Sequence, residues 1–511
     1  MSTDSVSGLF YHEETDLSFF VEGLGRTTTA MVGTASWGPM NEPTLVAEED
    51  DFKEDFGPPV ANSNTYMAAR SYFQRGNSLE VVRVGDTTVL EASATPAVTG
   101  AGTAPTFKAK YKGTFGDNIS LEITAGTLGA GYYKITVTVS GIEMEVWDNL
   151  PEAAITDLST YIAESDYITS VVGTGVATVD VPQTAVPLTG GDDGIAAIAD
   201  TDYIGSSGVV KTGLQLLKPQ GEVDADLIVC PNTQSLDATV YQEMIDIAEG
   251  REDLLAVLDS PAGLTVNTDG SGSYGIDQFW RGTSAHAQTL AVNTSFAVTY
   301  WNWVTMTDYF NSVDVSIPPG AACAGAINYS DRIAYEWWAP AGIQRGNVSP
   351  IVKGTEYQPI DSEITILQSD NTMGCVNPIL LIDDNYYIMG QKTMLRNTSM
   401  LKRINTRRLI CKLKKTLVEK TSVLQGEPND ETAWREFEQL VKPYLDYVVN
   451  RRGLISYEIQ VGLDESMDAN DIGAGRLIGR VVLVLMPTAE KVILQYVITD
   501  QGASFSEIGL L

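Results

Sequence analysis

Hydrophobic periodicity changes character twice along these 511 residues, and that change limits the fold more than any single motif. Between about 91 and 200, apolar side chains alternate in period two between glycine-containing turns, as in NISLEITAG (118–126), YYKITVTVS (132–140) and IEMEVW (142–147). Successive side chains of a strand point to opposite faces, so this alternation predicts antiparallel strands, in a small sandwich. The stretch carries four basic residues (Lys108, Lys110, Lys112, Lys134) and closes on Gly190-Gly191-Asp192-Asp193-Gly194, a linker-like run. Residues 91–200 therefore read as an inserted all-β domain.

On both sides the pattern is α/β. Before the insert, TYMAARSYFQRG (65–76) reads as a helix and LEVVRV (79–84) as a buried strand. After it, DLIVCP (226–231), a helix from Asp237 to Glu249 and LLAVLDSP (254–261) form a strand–helix–strand unit. A single buried strand is expected over 296–306 and a helix rich in small residues over 319–337. The segment 375–511 mixes strands (ILLI, 379–382; VVLVLM, 481–486; VILQYVI, 492–498) with two long helices. In the second, Pro428-Asn429-Asp430 caps a run that puts Trp434, Phe437, Val441, Leu445 and Val448 on one apolar face, with a kink expected at Pro443. At roughly 150 residues per domain the length suggests three or four domains. The reading divides the chain into an arm (1–24), the first part of a core (25–90), the insert (91–200), an α/β domain (201–370), an α+β C-terminal core (371–490) and a terminal strand and arm (491–511).

Charge and rare residues narrow the chemistry. With 33 Lys+Arg against 66 Asp+Glu the net charge is -33, which disfavours nucleic acid or an anionic membrane as main partner. No apolar run approaches the ~20 residues that span a bilayer, and residues 1–10 lack the basic start and apolar core of a secretory signal. The four cysteines (Cys230, Cys323, Cys375, Cys411) lie far apart, as expected of reduced, buried thiols. Two histidines, His12 and His286, leave no His-rich metal cluster. Gly282-Thr283-Ser284, within Arg281-Gly282-Thr283-Ser284-Ala285-His286, resembles the Gly-Thr-Ser-x-Ala nucleophile motif of subtilisin-type serine proteases, but a triad needs a separately positioned base and an orienting acid. No catalytic, cofactor or metal site is assigned. Tyr132, Tyr133 and Trp147 offer an alternative reading, a carbohydrate-binding or adhesin surface on the insert; a serine hydrolase is a more remote alternative.

Two features point instead to assembly. Residues 402–421 (KRINTRRLICKLKKTLVEKT) hold eight basic residues and one acid, a local charge of +7 on a strongly acidic chain. At 100° per residue Leu409, Ile410, Leu413 and Leu417 form one stripe, leaving Arg403, Arg407, Arg408, Lys412, Lys414 and Lys415 on the remaining arc to meet an acidic partner. The chain ends are also apolar and extended: Leu9, Phe10, Tyr11, Phe19 and Phe20 at one end, Val492, Leu494, Tyr496 and Ile498 at the other. They predict strand exchange between subunits.

Several short segments in one order resemble the contractile bacteriophage tail sheath proteins, a family related to pyocin and type VI secretion sheaths. They are Gly33-Thr34-Ala35-Ser36-Trp37-Gly38-Pro39-Met40-Asn41-Glu42-Pro43, Phe52 to Gly57, Tyr72-Phe73 through Val82-Arg83-Val84, and Ile317-Pro318-Pro319-Gly320 to Trp338-Ala339-Pro340-Ala341-Gly342. Gly390-Gln391-Lys392-Thr393, Asn405-x-Arg407-Arg408 and Glu427-Pro428-Asn429-Asp430-x-x-x-Trp434 follow. The resemblance implies a multi-domain α/β protein with a subtilisin-like middle domain lacking a working triad. It implies hexameric rings stacked helically around a tail tube, arms donating strands to neighbours, and contraction that needs no nucleotide and drives the tube through the host envelope. Its implied partners are further copies of the chain, the tail tube protein, and baseplate and tail terminator proteins, in a virion tail assembled in the host bacterial cytoplasm. The six basic side chains would then face the tube.

Overall fold

A computed structural model describes residues 27–490 apart from 104, 130, 152–159, 172–173, 232–237, 267–274, 282–290, 349 and 369–374. Its centre is an eight-stranded mixed sheet. In spatial order the strands are Pro43–Val46, Leu79–Arg83, Thr29–Gly33, Leu227–Val229, Leu255–Asp259, Ala297–Trp301, Val376–Ile382 and Asn385–Ile388. The six inner strands are parallel, and the first and last run antiparallel at the edges. Parallel strands need crossovers that bury both faces, which is why these runs are apolar at nearly every position. The alternation sorts the side chains into two layers. Ala30, Val32, Val82, Ile228, Ala256 and Leu258 join the helix Ala238–Arg251 in one core. Met31, Leu79, Val81, Val229 and Val257 meet the helices Glu49–Phe56, Thr65–Phe73 and Gly320–Ile333 in the other.

The small residues of the Gly320–Ile333 helix have a packing reason. A Cβ at Gly325 would stand 2.6 Å from the Tyr72 carbonyl oxygen, so only glycine lets this helix approach the 65–73 helix so closely. The helix is shorter than the expected 319–337 stretch. The single strand expected over 296–306 is two strands, Ala297–Trp301 and Val304–Asp308, the second in a separate sheet with Val313–Ile317 and Gly354–Thr355. Asn302 makes the break: its φ is +93°, and its side-chain oxygen accepts from the Tyr357 N–H at 3.0 Å while its amide donates to the Tyr357 carbonyl. The sheet also crosses the boundary expected at 370/371, because Val376–Ile382 pairs in parallel with Ala297–Trp301. Side-by-side pairing of parallel strands separated by many residues leaves no mark in local periodicity.

Between Ser93 and Pro187 the described strands form a four-stranded antiparallel sheet, Gln183–Pro187, Ile119–Ala125, Tyr132–Val139 and Ile142–Pro151, with smaller sheets beside it. Their inward side chains, among them Phe107, Leu121, Ile135 and Val137, make a third core. Trp37, from the segment after the first central strand, belongs to that core: its ring lies 5.2 Å from Tyr111 and 5.0 Å from Phe115. Next to it Arg83, fully buried, donates to the carbonyls of Gly38 at 2.8 Å and Lys112 at 2.7 Å. Burial pushes the Arg83 guanidinium down to about 10, with Asp193 opposing the shift. Gly113, at φ +134°, closes the junction, since a Cβ there would overlap the Ser36 carbonyl oxygen. The β region is therefore clasped to the central sheet by buried groups rather than tethered.

The helices Ile404–Thr421 and Glu431–Asn450 pack with the two-stranded ribbon Leu454–Gln460/Arg480–Leu485 around a fourth core of Leu409, Leu413, Val441, Leu445, Val448 and Trp337. Asp430 caps the second helix, accepting from the N–H of Thr432 at 2.9 Å and of Ala433 at 3.1 Å. The helix continues through Pro443, which lies on its exposed side where water can satisfy the carbonyl left without a donor. All four cysteines are buried and none is in a disulfide among the described residues.

Truncating Trp37 should unfasten the β region. We expect Trp37→Ala to lower unfolding stability by about 3–5 kcal/mol, the usual cost of deleting a buried aromatic, in urea titrations monitored by circular dichroism. A Val209→Ala control, at a fully exposed position, should change it by less than about 0.5 kcal/mol. Equal effects of the two would remove the clasp.

Candidate functional site

The Ile404–Thr421 helix starts at a Ser399–Arg403 turn, and its leucine stripe packs as the sequence predicts: Leu409 and Leu413 are buried, and Ile410 and Leu417 lie against the same core. The basic arc does not behave as expected. Arg407 and Arg408 are buried, at 7% and 6% exposure. Arg408 makes a two-pronged pair with Asp331, Nη1 donating to Oδ1 at 2.8 Å and Nη2 to Oδ2. Burial works against the Arg408 charge, but Asp331, with Glu336 and Asp226, outweighs it and holds the guanidinium above its ordinary value. Thr27 Oγ1 donates to the same Asp331 carboxylate. Arg407 lies 4.0 Å from the centroid of the Phe296 ring and donates to Ser295 Oγ.

The lysines are also engaged within the chain. Lys412 is 3.2 Å from Glu336, Lys414 is 2.8 Å from Glu252 and donates to the Arg251 carbonyl at 3.0 Å, and Lys415 pairs with Asp224 and, at 3.3 Å, with Asp226. Burial disfavours the charge of Lys412, yet Glu336 and Asp226 raise its pKa above the ordinary lysine value. Arg403 bonds Glu490 at 2.7 Å. The expectation that these six side chains project from one arc toward a partner is thus corrected: Arg407 and Arg408 are inside the protein, and the other four have acids of the same chain. The cause is tertiary. The helix lies across the N-terminal ends of Leu227–Val229 and Leu255–Asp259, where Asp224, Asp226 and Glu252 precede the strands.

Asp259 is a functional-looking group that the sequence analysis passed over. It ends a central strand fully buried, its Oδ1 accepting from the Gly320 N–H at 2.6 Å at the start of the 320–333 helix. Oδ2 has no hydrogen-bond partner among the described residues. Burial pushes the acid up to about 7, against the lowering effect of the Gly320 bond. No periodicity signals such a group; only the meeting of a strand end with a helix start creates it. Ser284 and His286 lie outside the described residues, and no cluster of potential metal ligands occurs among the described ones. No helix among them is long and apolar enough to cross a membrane. The aromatic trio does not form one platform. Tyr133 is buried in the β core, adjacent Tyr132 points to the opposite face, and Trp147 packs against that core and donates to Glu145 at 3.1 Å.

Known proteins that resemble this chain carry one description. A family profile described as the tail sheath protein Gp18 domain III N-terminal region matches residues 26–84. The chain is 25% identical to the tail sheath protein of Vibrio phage KVP40 over 418 residues, 78% of its own length and 59% of the relative's. It is 24% identical to the tail sheath protein of Enterobacteria phage T4 over 296 residues, 56% of its length and 44% of that relative's. The chain is thus similar to tail sheath proteins. The chain spans 59% and 44% of the length of these curated relatives.

Solved sheath structures share the fold. The sheath tail protein of Desulfitobacterium hafniense superposes with a TM-score of 0.60 at 14% identity, over 94% of this chain and 100% of that one. The contracted sheath complex of the extracellular injection system PVC gives 0.55 at 15% identity, over 98% and 100%. The mixed α/β architecture with several sheets is thus that of sheath proteins. The strand-exchange candidates Leu9, Phe10, Tyr11, Phe19, Phe20, Val492, Leu494, Tyr496 and Ile498 lie outside the described residues.

Burial depth sets different costs for the helix cations. Arg408→Met should cost about 3–5 kcal/mol in urea unfolding because it strands buried Asp331, whereas Lys414→Met, at a pair on the surface, should cost at most about 1 kcal/mol. Equal costs would remove the distinction between the buried and the surface pairs. Asp259 makes a separate pH prediction. Its folded pKa is raised, so the folded state keeps a proton that the unfolded state releases, and stability falls as pH rises from the ordinary carboxyl range to about 7. Asp259→Asn keeps the acceptor for Gly320. Its stability should therefore exceed that of the unmutated protein by more at pH 8 than at pH 5, and an unchanged difference would show that Asp259 is ionised throughout.

Proposed function

We propose that this chain is the structural, non-enzymatic subunit of a contractile tail sheath, copies of which form hexameric rings stacked helically around a tail tube. The observation that carries the reading is the Leu454–Gln460/Arg480–Leu485 ribbon. Val481, Leu483 and Leu485 pack on the Glu431–Asn450 helix, while Ile455, Val482, Val484 and Met486 stand 36–50% exposed on the outward side. Among the described residues the ribbon has only these two strands, and a two-stranded ribbon is marginal by itself. Strands donated by the apolar ends of neighbouring copies, through segments 1–24 and 491–511, would extend it and cover that face. The likeness to tail sheath proteins over 78% of the chain supports the same reading. So does the fold shared with sheaths solved in assembled form.

In this reading the parallel central sheet is a subtilisin-like domain without a working triad, and 91–200 is an all-β outer domain. Residues 371–490 lie nearer the tube, and baseplate and terminator proteins close the two ends of the assembly in the virion tail. The tube contact falls on surfaces other than the buried face of the Ile404–Thr421 helix. Energy for contraction resides in subunit packing, so no nucleotide or cofactor is invoked.

The purified chain should form helical tubes visible by negative-stain microscopy as its concentration rises. Val482→Asp with Val484→Asp, both at exposed positions, should leave the melting temperature within about 2 °C and abolish the tubes. Normal tubes from this double variant would overturn the ribbon as the assembly surface.

A further inference from the structure

Glu490 is the last described residue before the C-terminal segment 491–511, and it is held unusually well for a residue at the start of an arm. Its side chain is 25% exposed and meets two cations: Arg403 Nε at 2.7 Å on Oε1 and Lys392 Nζ at 3.3 Å from Oε2. Gln391 Nε2 adds a long contact of 3.4 Å to Oε1. The two cations are presented side by side because Lys392 and Arg403 face each other in an antiparallel bridge, flanked by Thr393 N–H to Lys402 carbonyl at 2.8 Å and Ile404 N–H to Gln391 carbonyl at 3.0 Å. Two residues earlier, Thr488 Oγ1 accepts from Asn405 Nδ2 at 3.0 Å, and the same Asn405 amide donates to the Trp337 carbonyl at 3.1 Å. The chain is therefore pinned at 488 and 490 to the start of the helix whose other cations bind the central sheet.

We infer that Glu490, clamped by Arg403 and Lys392, is a positioning residue that sets the point and direction at which the C-terminal segment leaves the body toward a second copy of this chain. The inference rests on the sheath reading for its partner but not for its geometry. A terminal segment held at its root loses fewer conformations on pairing than one free to swing, so the clamp lowers the entropic cost of assembly. Burial alone would raise the Glu490 pKa, but Lys392 and Arg403 hold it below the ordinary carboxyl value. The clamp is thus intact above the ordinary carboxyl range and lost only as pH falls through the lowered value. The pair is reachable by solvent, so salt weakens it.

The test uses the full chain with Glu490→Gln and Glu490→Asp. Lys491 follows directly in the sequence and supplies a trypsin site at the root of the segment. In unassembled protein with matching thermal melts, cleavage after Lys491 should rise about fivefold in Glu490→Gln, the scale of one partly exposed ion pair, and less in Glu490→Asp. Raising NaCl to 1 M should speed cleavage of the unmutated chain, normalised to a peptide substrate, and leave Glu490→Gln unchanged. The concentration at which tubes appear should rise in the same order. Equal cleavage in all three proteins overturns the clamp even if tubes form, and faster cleavage with unchanged tube formation overturns its positioning role. Faster cleavage in Glu490→Gln without tubes from the unmutated chain leaves the clamp standing and sinks the sheath reading instead.

Discussion

The buried pair between Arg408 and Asp331 is the contact on which the arrangement of the C-terminal part depends. It joins the Ile404–Thr421 helix to the Gly320–Ile333 helix across 77 residues of sequence, and Thr27 closes the same carboxylate from the other end of the chain. Removing two charges from water is costly, and the pair tolerates it because both prongs of the guanidinium meet both carboxylate oxygens. Around it Lys412, Lys414, Lys415 and Arg403 repeat the pairing with Glu336, Glu252, Asp224, Asp226 and Glu490. A chain of net charge -33 has acids to spare, so concentrating its cations on one helix makes that helix a fastener for the surrounding acidic segments.

The second fastening combines apolar packing with a buried guanidinium and involves the N-terminal part of the central sheet. Trp37 enters the β core while Arg83 spans the junction, so the β region and central sheet share buried groups. Both fastenings are made by buried side chains rather than by exposed loops.

The places where pattern and structure part company have identifiable causes. The break at Asn302 is hidden in an apolar run because a single polar residue in the left-handed region can turn the chain without changing hydropathy. The aromatic trio Tyr132, Tyr133 and Trp147 is close in sequence, but neighbouring positions on a strand point to opposite faces. The six cations on one helical arc were legible as a feature, and their partners were not. Asp224, Asp226, Glu252 and Glu336 resemble ordinary surface acids until the fold carries them to the helix.

What the sequence by itself determined is the local grammar: where strands alternate, where helices begin and are capped, which leucines face inward, and which short segments resemble sheath proteins. These follow from near-neighbour sterics and amphipathic period, which are written in consecutive residues. The tertiary structure alone decided the strand order that draws 29–33, 79–83, 227–229 and 376–382 into one sheet, the burial of Arg407 and Arg408, the raised acid at Asp259 and the clasp at Trp37. Each depends on groups far apart in the chain sharing a low-dielectric, close-packed space, and that proximity exists only once the chain has folded.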